Sequence, residues 1–137
     1  MTRTAHAQWI GDLKTGKGAL TTQSKVMDNT QYSFRTRFED GVGANPEELI
    51  AAAHAGCFSM ALSAQLGERG IVADSIDTDA VITMENLTIT KSALTTKVVA
   101  TGADKTAVEE AAAAAKAGCP ISRVLNAEIS LDLTVEV

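Results

Sequence analysis

Aromatic side chains are scarce in this chain. One Trp, one Tyr and three Phe among 137 residues leave few platforms on which bases could stack. Basic charge is also short, with 12 Lys and Arg against 17 Asp and Glu and a formal net charge of −5. Phosphate contacts need a basic footprint, so both deficits argue against nucleic acid as a partner. Only two cysteines are present, Cys57 and Cys119. One disulfide at most excludes the dense cross-linking of a small secreted domain. No signal-like apolar run lies between Met1 and Lys17, which points to the cytoplasm. The most apolar stretch, Leu49 to Leu62, falls short of the ~20 residues that cross a bilayer and contains His54 and Ser59. It reads as a buried helix, and no membrane is expected as partner. With 45% apolar and 21% charged residues, the chain has the composition of one globular domain spanning residues 1–137.

Patterning divides the chain into strands and helices without internal repeats. Ala5 to Ile10 and Gly18 to Gln23 read as a hairpin around Lys14-Thr15-Gly16. Gln31 to Phe38 alternates Tyr32, Phe34, Thr36 and Phe38 with Ser33, Arg35 and Arg37, which predicts a strand with both arginines on one face. Asn45-Pro46-Glu47-Glu48 combines an N-cap, a first-position proline and acidic charge at the positive dipole end. A helix is therefore expected from there to about Arg69, with Gly70 as its stop. Its small and apolar side chains leave no broad solvent face and place it centrally. Ser75 to Met84 and Thr88 to Ala100 form a second predicted hairpin. A helix capped by Asp104 runs through Lys116, and a short one starts at Pro120 with Cys119 near its N-cap. A strand carrying Ile129, Leu131, Leu133, Val135 and Val137 on one face closes the chain. Runs of strands separated by helices give an α+β fold.

The residues alone leave the chemistry open. Cys57, mid-helix among Ala53, Gly56, Met60 and Ala61, reads equally as an inert buried thiol or as a nucleophile needing a nearby cation, for which Arg35 and Arg37 are candidates. His54, one turn earlier on the same face, makes a Cys/His dyad geometrically feasible, but no orienting acid or amide accompanies it. Scattered Cys57, Cys119, His54 and His6 lack zinc-ligand spacing, so no metal is expected. Cys119 sits where a helix start can stabilise a thiolate, or where a filler cysteine can end a helix.

Three segments carry a resemblance: Asn45-Pro46-Glu47-Glu48-Leu49, the run Ala52-Ala53-His54-Ala55-Gly56-Cys57-Phe58-Ser59-Met60-Ala61-Leu62, and Ala117-Gly118-Cys119-Pro120. With Trp9-Ile10-Gly11-Asp12, Thr36-Arg37-Phe38-Glu39 and Ala127-Glu128-Ile129, the chain resembles the OsmC/Ohr family of osmotically inducible and organic hydroperoxide resistance proteins, nearer the OsmC branch. The resemblance implies an intertwined homodimer with central long helices among antiparallel β-sheets. It also implies a thiol peroxidase without cofactor, reducing organic hydroperoxides and, less efficiently, hydrogen peroxide. On this pattern Cys57 is the peroxidatic thiol, Cys119 the resolving thiol, and Arg37 and Glu47 complete the site, with Arg35 as understudy. His54 stands where the Ohr branch commonly has Tyr, which speaks against a general base. The reductant implied is a dithiol, such as a lipoylated protein.

That chemistry suits the residue types. A thiolate breaks the O–O bond, a guanidinium held by a carboxylate steadies the departing oxygen, and a second thiol closes a disulfide that prevents over-oxidation. Phe58, Met60 and Leu62 are candidate walls for an organic tail. Glu47 and Cys57 lie roughly 15 Å apart along one helix, too far to border one small site. Antiparallel packing of two copies of that helix would bring Glu47 of one subunit to Cys57 of the other. The same two thiols would also serve a non-catalytic redox sensor or a small-ligand binding protein.

Overall fold

Ten elements make up the computed structural model, which describes residues 1–137. They fall into two units, Met1–Leu49 and Ile50–Val137. The first holds an antiparallel sheet of β1 (Ala5–Ile10), β2 (Lys17–Thr22) and β3 (Thr30–Tyr32), in that order, followed by the short helix α1 (Phe34–Phe38). In the β1/β2 loop the Asp12 carboxylate accepts from the Thr15 N–H at 2.7 Å and from its hydroxyl at 2.8 Å, fixing the turn. Gly18 faces Trp9 on one side and Tyr32 on the other. A Cβ at this position would run into the Tyr32 ring, so glycine is what lets the two aromatics close over β2.

The expected strand from Gln31 to Phe38 stops at Tyr32, and Phe34–Phe38 is helical. The reason is a capping box. Ser33 Oγ accepts from the Thr36 N–H at 3.3 Å and Thr36 Oγ1 accepts from the Ser33 N–H at 2.8 Å, a reciprocal pair that starts a helix. Positions i and i+4 share a face in either period, so Phe34 and Phe38, with ring centroids 4.9 Å apart, could not distinguish the two. Positions i and i+2 do not share a face in a helix. Arg35 and Arg37 accordingly part, Arg35 to Glu39 and Arg37 to Glu47.

Helix α2 (Pro46–Glu68) starts where Asn45 Oδ1 accepts from the Glu48 N–H at 2.8 Å, while Asn45 Nδ2 donates to the Thr36 carbonyl at 3.1 Å. It ends at Gly70, whose φ of 72° permits the Ile71 N–H to reach back to the Leu66 carbonyl at 2.9 Å. At 23 residues it is longer than its apolar run suggested and, by length and composition alone, long and apolar enough to cross a bilayer. Within the second unit it packs on a sheet ordered β4-β5-β6, built from β4 (Ser75–Glu85), β5 (Thr88–Val99) and β6 (Glu128–Glu136). The β4/β5 pair is antiparallel and the β5/β6 pair parallel. That parallel pair departs from the all-antiparallel expectation, because α3 (Lys105–Gly118) and α4 (Pro120–Val124) carry the chain back across the sheet before β6.

Leu94 and Val98 of β5, Phe58, Leu62 and Leu66 of α2, and Val108, Ala111, Ala112 and Ala115 of α3 form the core. Only one stripe of α2 is buried: His54, Phe58, Leu62 and Leu66, each four residues from the last. The expectation of a helix without a solvent face is therefore not met by one chain. Ala52, Ala53, Gly56, Met60, Ser63 and Ala64 lie exposed, Met60 at 77%.

Candidate active site

Cys57 sits in the fourth turn of α2, half-buried at the edge of the core stripe, and Cys119 sits at the junction of α3 and α4. The junction follows from local sequence. The Cys119 N–H closes α3 on the Ala115 carbonyl at 2.9 Å, and Pro120, with no N–H to leave unpaired, opens α4. Cys119 thus ends one helix and caps the next, its sulfur accepting from the Ser122 N–H at 3.3 Å. Both cysteines are free thiols.

Cys57 packs against the core cluster that contains Cys119, and each thiol bears on the other's ionisation. Burial pushes the Cys57 thiol up; the Ile121 N–H offsets part of this, and Cys119 adds to the rise. Burial works in the same sense on Cys119, but the hydroxyl and N–H of Ser122, then Cys57 and the Ile121 N–H, outweigh it and leave this thiol below its ordinary value. Accessibility runs the other way, since Cys119 is only 1% exposed.

His54 does not meet Cys57 as a dyad. Both ring nitrogens are taken by serines, Nδ1 by Ser92 Oγ at 2.6 Å and Nε2 by Ser122 Oγ at 2.8 Å. Burial lowers the imidazole pKa. Its neutral form can satisfy both bonds, donating through one nitrogen and accepting through the other.

In the first unit Arg37 and Glu47 form a two-pronged ion pair, with Nη2 to Oε1 at 2.8 Å and Nε to Oε1 at 3.1 Å. Glu47 is the more enclosed partner, 15% exposed against 39% for Arg37. Arg35 makes only a surface pair with Glu39 at 3.6 Å, both side chains more than half exposed. Beside Arg37 lies a cleft of about 250 Å³ lined by Trp9, Leu13, Tyr32, Phe34, Phe38 and Pro46. Trp9 and Tyr32 pack with centroids 5.5 Å apart, and the Arg37 guanidinium lies 5.3 Å over the Phe38 ring.

The second unit thus holds a pair of free thiols, and the first an arginine clamped by a glutamate. The family model described as OsmC-like protein matches residues 39–134. The chain belongs to the OsmC family. It is 51% identical over 130 residues to the peroxiredoxin OsmC of Escherichia coli (strain K12), a match covering 92% of this chain and 91% of that one. An organic hydroperoxide resistance protein-like chain of Mycoplasma pneumoniae is 35% identical over 98 residues, 66% of each chain. Among solved structures, the organic hydroperoxide resistance protein OhrB of Bacillus subtilis superposes with a TM-score of 0.64 at 26% identity, over 95% of this chain and 97% of that one.

Two site features of this OsmC family member differ from the sequence reading. Phe58 and Leu62 are fully buried core residues and Met60 points to the exposed side of α2, so these three do not line a common wall. The apolar cleft is instead aromatic and adjoins Arg37. Its signal was present in the composition: four of the five aromatic residues in the chain, Trp9, Tyr32, Phe34 and Phe38, gather there. Ser92 and Ser122 carried no signal, being ordinary serines on a strand and a short helix until the fold brings them to His54.

Proposed function

We propose that the chain is a thiol-dependent hydroperoxide reductase acting in the cytoplasm as a homodimer, with residues 1–137 as one OsmC-like domain. The observation that carries this reading is the Cys57/Cys119 pair, two free thiols packed at the same core cluster, of which only Cys57 is reachable from outside. Cys57 attacks the terminal peroxide oxygen, the O–O bond breaks, and an alcohol or water leaves. Cys119 then displaces hydroxide from the Cys57 sulfenic acid to form the disulfide, and an external dithiol, of the lipoyl type, reduces it.

Attack requires Cys57 as thiolate, whereas burial and Cys119 both oppose its ionisation. A cation is needed, and the partner subunit's Arg37 supplies it, held by Glu47. Two features support a second subunit. Unit Met1–Leu49 buries only Gly18, Thr36 and Ala44, too little to hold itself together. The exposed small-residue face of α2 likewise suits close packing of a second α2. Arg37 also steadies the departing oxygen. The adjoining aromatic cleft holds the organic part, which favours organic hydroperoxides over hydrogen peroxide.

The test is turnover of cumene hydroperoxide with a dithiol. Wild-type protein should consume many equivalents and Cys57→Ser none. Oxidation by a single equivalent without turnover would instead identify a redox sensor.

A further inference from the structure

The hydroperoxide reading leaves His54 without a role, although it is the only titratable side chain other than Cys119 that is wholly buried. A buried histidine hydrogen-bonded to two buried serines is a costly choice for an interior, since apolar side chains of similar volume would pack there without needing partners. The three form one chain of contacts across three elements. Ser92 on β5 bonds His54 Nδ1 on α2 at 2.6 Å, His54 Nε2 bonds Ser122 Oγ on α4 at 2.8 Å, and Ser122 Oγ lies 3.3 Å from the Cys119 sulfur. No buried side-chain polar atom is left unpaired.

The direction of this chain is constrained by counting hydrogens. Ser122 has one hydroxyl hydrogen. If it is given to Nε2, the sulfur must be a thiol donating to Ser122 Oγ. If Nε2 carries the ring proton and donates to Ser122 Oγ, the serine hydrogen is free to point at the sulfur, and the Ser92 hydroxyl donates to Nδ1. The second arrangement aims two Ser122 donors, O–H and N–H, at Cys119, and favours a thiolate there over a thiol.

We propose that His54 and Ser122 are positioning residues for the resolving step, Ser92 holding His54 in the tautomer that turns the Ser122 hydroxyl onto the Cys119 thiolate. This rests on the peroxidase reading above. In the step concerned, the Cys119 thiolate, its proton already released to solvent, attacks the Cys57 sulfenic sulfur. The S–S bond forms, the S–O bond breaks, and hydroxide departs with the electron pair, to be neutralised to water by the proton that Cys119 gave up. Cys119 is oxidised and Cys57 reduced to the disulfide level. The bond from Ser122 also keeps the sulfur from turning away, because α4 is tied to α2 through His54.

The experiment follows the reduced full-length protein after one equivalent of tert-butyl hydroperoxide, quenched at intervals and read by intact mass. It compares the rate at which the sulfenic acid appears with the rate at which it closes to the disulfide. In Ser122→Ala the ratio of closure to oxidation should fall about tenfold, the size expected for losing one hydrogen bond to a charged sulfur, with sulfenic acid accumulating. Ser122→Thr, which keeps a hydroxyl, should restore most of the ratio. His54→Gln and Ser92→Ala should lower it by lesser amounts. A Cys57→Ser background adds a spectroscopic readout: the thiolate ultraviolet absorbance of Cys119 at neutral pH should drop when Ser122→Ala is added. An unchanged ratio in Ser122→Ala, or equal loss in Ser122→Ala and Ser122→Thr, overturns the proposal while leaving the peroxidase reading intact. A wild-type chain that turns over peroxide without any Cys57 sulfenic acid overturns both.

Discussion

Arginine 37 differs from Arg35 by two positions in sequence and by everything that bears on chemistry. Just over half a helical turn, about 200°, separates their directions, sending one to a carboxylate that is 15% exposed and the other to a solvated Glu39. Replacing Arg37 by Ala should therefore lower kcat/KM by about 10²-fold or more, as when a fixed donor to a developing oxyanion is removed. Arg35→Ala should change it less than about twofold, since exposed pairs contribute little. Steady-state kinetics with one hydroperoxide checks both. His54 yields a second prediction, about stability. Its pKa is lowered in the fold by burial, so below the ordinary imidazole value the unfolded chain binds more protons than the native one. Stability should fall as pH drops through about 6.5 and continue to fall until the native pKa is passed. His54→Gln should remove that part of the acid slope in thermal melts. Of these residues, the two cysteines, Arg37 and Glu47 stood out in the sequence because each stands in a motif. His54 was visible but not its partners, since a hydrogen bond spanning 38 or 68 positions has no local trace.

Elements were read most securely where several local signals agreed. The start of α2 combines cap, proline and acidic charge, and its end a glycine at positive φ; both boundaries lie within a residue of expectation. The Gln31 to Phe38 segment failed because its alternation and its capping pair point in different directions, and the cap decides over five residues. The β4/β5 turn offers a test at this scale. Asn86 and Leu87 both adopt positive φ, 50° and 61°, the geometry of a two-residue hairpin turn in which the second position favours glycine. Leu87 is 77% exposed and gains nothing from packing there. Leu87→Gly should raise stability by up to about 1 kcal/mol, read as a higher Tm. Gly18→Val should do the reverse in the other sheet, pushing the Tyr32 ring out of the cleft and weakening binding of bulky peroxides more than of hydrogen peroxide.

At the scale of the whole molecule, the division into two units is itself informative. The thiols lie in Ile50–Val137 and the Arg37/Glu47 pair in Met1–Leu49, while α2 begins in one and continues through the other. A site shared between subunits predicts complementation. Mixing Glu47→Ala subunits with Cys57→Ser subunits, each inactive alone, should recover activity in the heterodimer, where one of the two sites carries neither substitution. Recovery no greater than the sum of the separate variants would place the whole site in one subunit. The exposed face of α2 was legible only in part: its apolar composition announced burial, but composition does not say whether the covering surface comes from the same chain.

The sole tryptophan of the chain stands in the wall of the Arg37 cleft, 36% exposed and packed beside Tyr32. Its indole is thus a built-in optical probe. Excited near its absorption maximum, the protein emits from Trp9 with no competing indole, and a bulky molecule that displaces water from the cleft should move that emission toward the blue. Occupancy can then be followed in unlabelled protein, apart from any turnover at the sulfurs.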